Sequence, residues 1–101
     1  MNDYTWVITR DDSDDPHIDV SLVGTRGRGF EDLTNEQVTT HPQAIEFRMR
    51  DEDNRILFHG FYLGNERDEE AMAEPLELFG RNHDCVLIAY RDLMGRWDVI
   101  A

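Results

Sequence analysis

Lysine is missing altogether: all 10 basic residues are arginines, set against 22 acids in 101 residues, for a formal charge of −12. A chain so negative is repelled by duplex DNA and by anionic lipid, which argues against direct nucleic-acid or membrane binding. Cysteine is almost absent. Cys85 stands alone, so an internal disulfide framework is excluded, and a single thiol suits a reducing cytoplasm. No run of ~18 apolar residues occurs, which excludes a membrane-crossing helix. The first residues, Met1-Asn2-Asp3-Tyr4, are acidic and lack an apolar segment, so no secretory signal is expected. Internal repeats, low-complexity tracts and linkers are also lacking. The length suits one domain, spanning 1–101.

What is present points to a folded core. Hydrophobic residues make up 40% and aromatics 10%, including Trp6 and Trp97, which is too rich for a disordered acidic tail. Fourteen of the carboxylates fall in three stretches. These are Asp11, Asp12, Asp14, Asp15 and Asp19; then Asp51, Glu52 and Asp53; then Glu66, Asp68, Glu69, Glu70, Glu74 and Glu77. Two explanations of the acidity concern composition alone, a GC-rich coding genome and a salt-adapted cytoplasm. A functional one is a spaced set of charges that imitates a phosphate backbone, for which the partner is a basic protein.

Tyr4-Thr5-Trp6-Val7-Ile8-Thr9 is aromatic and β-branched and reads as a strand. Ile18, Val20 and Leu22 alternate with Asp19 and Ser21, the period of a half-buried strand. Gly24-Thr25-Arg26-Gly27-Arg28-Gly29 then reads as a flexible basic loop. Around Leu33 to His41 lies the clearest helix start. Thr34 and Gln37 form a capping box, Leu33 and Val38 a hydrophobic staple, and Pro42 ends the helix. Ile45 to Leu63 reads as a hairpin closed by Asp51-Glu52-Asp53-Asn54. It pairs Met49 with Ile56, Phe47 with Phe58 and Ile45 with Gly60, and sets Glu46 opposite His59. A slip of two residues keeps the same faces. Pro75 to Gly80 has proline where a helix begins and glycine where one ends. Cys85 to Tyr90 and Trp97 to Ile100 predict a closing hairpin. The expected fold is α+β: a single small domain, an antiparallel sheet of hairpins with one or two short helices on one face. The expected core holds Trp6, Ile8, Val20, Leu22, Phe47, Phe58, Val86, Ile88 and Trp97.

The order of motifs resembles that of small uncharacterised proteins of actinobacteria and their phages. The residues that carry it are Trp6 to Arg10, Gly24 to Gly27, Leu33 to Val38 with His41-Pro42, Phe47 to Asp53, Pro75 to Gly80, and Tyr90-Arg91 with Trp97. The resemblance implies no activity and passes on no site residue. It makes an inhibitor or counter-defence role an expectation by analogy.

The chemical constellations are thin. The loop holding Arg26 and Arg28 offers glycine amides for an anion, but it lacks the lysine and Ser/Thr of a P-loop. It is the candidate site of the alternative function, a phosphate- or nucleotide-binding protein or enzyme. Cys85 with His83, His17, His41 and His59 does not reach the paired spacing of a four-ligand zinc site. The Asp11 to Asp15 run lacks the glycine and closing glutamate of a calcium loop. No cofactor, no metal and no catalytic residue are therefore expected. The leading expectation is a non-enzymatic cytoplasmic module, monomer or homodimer, that docks on a basic partner through Glu66, Asp68, Glu69, Glu70 and Glu74.

Overall fold

The computed structural model describes residues 4–13 and 33–101. Five antiparallel strands form one sheet: β1 (Tyr4–Asp11), β2 (Ile45–Arg50), β3 (Ile56–Gly64), β4 (Leu87–Arg91) and β5 (Trp97–Val99). Their spatial order is β1-β3-β2-β4-β5. Helix α1 (Asn35–Thr40) precedes β2, and α2 (Glu69–Leu78), followed by a 3₁₀ turn at Gly80–His83, links β3 to β4. The α+β class and the antiparallel hairpins match the expectation from the sequence. Val20, Leu22, Arg26 and Arg28 lie outside the described residues.

The strand period decides what each face buries. Trp6 and Ile8, Phe47 and Met49, Phe58 and Tyr62, and Ile88 and Tyr90 form one cluster with Ala71, Met72 and Leu76 of α2. Val7 and Leu63 point the other way and pack with Val38 of α1, with Leu33 and Phe61 against them. The helices therefore divide between the two faces, whereas the sequence pattern predicts them on one. That division explains why Trp6, Val7 and Ile8 are consecutive and all buried. Val86 is 45% exposed and Trp97 half-buried, so neither belongs to the buried core. Val86 precedes β4, and Trp97 lies on the short edge strand, where its ring centroid is 4.0 Å from the Arg48 guanidinium carbon.

The register differs from the expected one by two residues. Phe47 faces Gly60, Met49 faces Phe58 and Ile45 faces Tyr62, while Arg48 rather than Glu46 lies opposite His59. A Cβ on Gly60 would stand 2.3 Å from the Val7 carbonyl oxygen and 2.4 Å from Phe47 Cζ. The missing side chain thus admits both the Phe47 ring and the close approach of β1. A bulge between Met49 and Arg50 absorbs the mismatch with the turn.

Helix α1 starts as its local signals predict. Thr34 Oγ1 accepts from the Gln37 amide at 3.1 Å, and Gln37 Oε1 accepts from the Thr34 amide at 2.8 Å. The start of α2 was missed: it lies at Glu69, six residues before Pro75. Asp68 is the cap, its carboxylate accepting from the Ala71 amide at 3.2 Å. Glu69 and Glu70 complete an acidic first turn, which suits the positive end of the helix. Pro75 sits inside α2, where it gives up one backbone donor.

One internal recurrence also escaped the sequence reading. Asp51-Glu52-Asp53-Asn54-Arg55 and Asp92-Leu93-Met94-Gly95-Arg96 build the same turn. In the first, Asp51 Oδ1 accepts from the amides of Asp53 and Arg55 at 3.0 and 2.9 Å. Arg55 Nε reaches Oδ2 at 3.0 Å. In the second, Asp92 Oδ1 accepts from the amides of Met94 and Arg96, both at 2.8 Å. Arg96 Nε lies 3.4 Å from Oδ2. Asn54 and Gly95 occupy the one left-handed position of each turn, at φ 65° and 83°. This is a tight turn followed by a left-handed residue, stapled by an aspartate.

Both aspartates are held below the usual carboxylate range, chiefly by the backbone amides of Arg55 and Arg96. A lowered folded-state value stabilises the fold above the unfolded value near ~4. That contribution is lost as the pH falls through the folded value. Thermal unfolding followed from pH 6 to pH 2 should therefore show an acid limb. Asp51→Asn with Asp92→Asn keeps the acceptors and removes the charges, and should flatten that limb. An unchanged limb would refute this role.

Candidate functional site

The five carboxylates singled out from the sequence separate into two kinds. Glu66, Glu69 and Glu70 are exposed. Among the described residues they have no ion-pair partner. Asp68 and Glu74 are occupied structurally. Glu74 reaches from α2 to β1, where it accepts hydrogen bonds from the Tyr4 hydroxyl and, at 2.9 Å, from Trp6 Nε1. Trp6 is buried, so its indole N–H has an obligatory partner and Glu74 supplies it. Glu77, the last of that acidic stretch, is paired with Arg81 at 3.1 Å.

The other candidates resolve as follows. His59 Nε2 is 2.9 Å from Asp12, and Glu46 lies 3.5 Å from Arg91, so the suggested Glu46–His59 pair does not form. His83 packs at a tilt against an aromatic pair, with ring centroids 4.4 Å from Phe79 and 5.8 Å from Phe58. Cys85 is buried, with Sγ 3.9 Å from the His83 carbonyl oxygen. Burial, with Asp51 and Asp84 adding to it, pushes its thiol up to about 12. The thiol is therefore protonated near neutral pH and a poor nucleophile. Thiol-specific labelling at pH 8 should accordingly wait for unfolding, and prompt reaction of the folded protein would contradict this placement. His, Cys, Asp and Glu side chains form no metal-binding group among the described residues. No helix among them is long and apolar enough to cross a membrane.

A second surface was not legible beforehand. A cleft of about 560 Å³ opens at one end of the sheet, walled by Ala44, Ile45 and Phe61. Beside it the β4–β5 turn holds Leu93 and Met94 outward, 103% and 78% exposed. Glu46, Glu66 and Asp92 line its rim together with Arg91. Glu66 thus belongs both to the acidic stretch and to the cleft. The signal that could have found this surface was an apolar pair inside a turn pattern whose twin is acidic.

The chain matches no protein-family model, no curated protein and no solved structure.

Proposed function

We propose that the protein is a non-enzymatic acidic binding module that docks on a basic partner protein, in the manner of a nucleic-acid mimic. The observation that carries this reading is the set of exposed carboxylates at Glu66, Glu69 and Glu70, which have no ion-pair partner among the described residues, in a chain of charge −12. Glu69 and Glu70 also favour the positive end of α2, but Glu66 lies outside the helix and gains nothing from it. Such a surface attracts a cationic groove over distance, speeds encounter and weakens with salt. By filling a groove meant for phosphates it would exclude DNA, the mode of action of an inhibitor or counter-defence protein.

Glu66→Gln, Glu69→Gln and Glu70→Gln together leave the Asp68 cap and the Glu74 clamp intact. The triple variant should keep its melting temperature within a few degrees. Its capture of purified basic DNA-binding proteins should fall, and the wild-type complex should yield to competing DNA and to added salt. Capture that is unchanged by the substitutions and indifferent to salt would overturn the proposal.

A further inference from the structure

The two twin turns make an internal comparison. Both are stapled by an aspartate and closed by an arginine, and their hydrogen bonds coincide. At the two outward positions one carries Glu52 and Asp53, as solubility favours. The other carries Leu93 and Met94, both largely exposed. The turn itself does not need apolar residues there, because its twin forms without them. Nor do the described residues bury them. Their cost in exposed apolar surface is unexplained by folding, and they stand beside an apolar-walled cleft.

We infer that Leu93, Met94 and the Ala44–Ile45–Phe61 cleft form a docking site for a basic amphipathic segment of a partner protein. This rests on the proposed function and gives it a specific address. The choice of occupant follows from charge. The rim carries Glu46, Glu66 and Asp92 against Arg91. Glu46 is paired with Arg91 and Asp92 with Arg96, so Glu66 is the rim charge left without an ion-pair partner among the described residues, in a chain of charge −12. An apolar segment flanked by Lys or Arg matches an apolar floor inside an acidic rim. A second copy of this chain would bring like charge against like. The staple around Asp92 holds the turn in shape before binding, so little ordering cost remains for its backbone.

The test is a random-peptide library displayed on yeast and selected on the folded protein. The recovered peptides are then measured on Leu93→Glu with Met94→Asp, which copies the twin turn. That variant carries the twin's residues at the two outward positions, keeps Gly95 at the left-handed one, and should melt within a few degrees of wild type. Leu93→Ser with Met94→Ser serves as the smaller change. The copied turn adds two negative charges, so docking by charge alone would strengthen. Docking in the cleft should instead weaken about tenfold or more, as for a central apolar anchor. The expected peptides carry apolar residues flanked by Lys or Arg. Recovery of none, or of peptides without basic residues, overturns the inference. Binding that strengthens in the copied turn but is lost in Glu69→Gln with Glu70→Gln overturns it too, and leaves the broader acidic reading standing. Wild-type dimers that dissociate in the copied turn would assign the surface to a second copy and equally overturn it.

Discussion

Phe47→Ala is expected to lower the unfolding free energy by about 3–5 kcal/mol, the usual cost of deleting a fully buried phenylalanine. For a domain of this size that corresponds to a melting temperature lower by roughly 20 °C. Phe47 has no solvent exposure, lies against the Tyr90 ring with centroids 5.5 Å apart, and covers Gly60 across the strand pair. Gly60→Ala attacks the same spot from the other side. Its Cβ would collide with the Val7 carbonyl oxygen as well as with the ring, so it should cost about 3 kcal/mol, the upper part of the range for overpacking. The double substitution should cost less than the sum, because removing the ring relieves half of the clash. Calorimetry or urea unfolding of the four proteins checks this. Full additivity would mean that the ring and the glycine do not share the space described.

Glu74→Ala is the second large effect. It leaves the buried Trp6 indole N–H without an acceptor, at a cost of about 1–3 kcal/mol, and removes the side-chain tie between α2 and the edge strand β1. Trp6→Phe removes the stranded donor, so in its background Glu74→Ala should cost markedly less. The same pair separates structure from docking. Were Glu74 instead a surface charge for a partner, its removal would leave unfolding unchanged. This is why a variant neutralising the whole acidic stretch would confuse lost binding with lost fold, and why Glu66, Glu69 and Glu70 are the informative set.

Local signals were legible wherever the physics is local. The Thr34–Gln37 capping box and the Leu33–Val38 staple act within a few residues, and α1 begins where they place it. Alternation in β2 and β3 assigns faces correctly, and the buried positions Phe47, Met49 and Phe58 follow from it. The Asp68 cap is equally local, but Pro75 offers a rival start. Proline fits the first turn well, but the Asp68 cap and the acidic first turn begin α2 upstream, and the helix continues through Pro75. The candidate site divides in the same way. Exposure of Glu66, Glu69 and Glu70 follows from charge, whereas the role of Glu74 depends on a residue 68 positions away.

Composition and pattern by themselves determined the class of fold, the charge, the capped helix α1 and the sidedness of the central hairpin. Tertiary structure decided the register, the sharing of the helices between two faces, and which acids are tied to structural donors. The reason is that a period-two pattern is unchanged by a slip of two residues. Choosing between such registers required the space above Gly60, which the Phe47 ring fills, and the five-residue turn stapled by Asp51. Likewise, whether a carboxylate is a cap, a clamp or a free charge depends on which donor the folded chain brings to it. For Glu74 that donor came from the edge strand β1, 68 positions away in the chain.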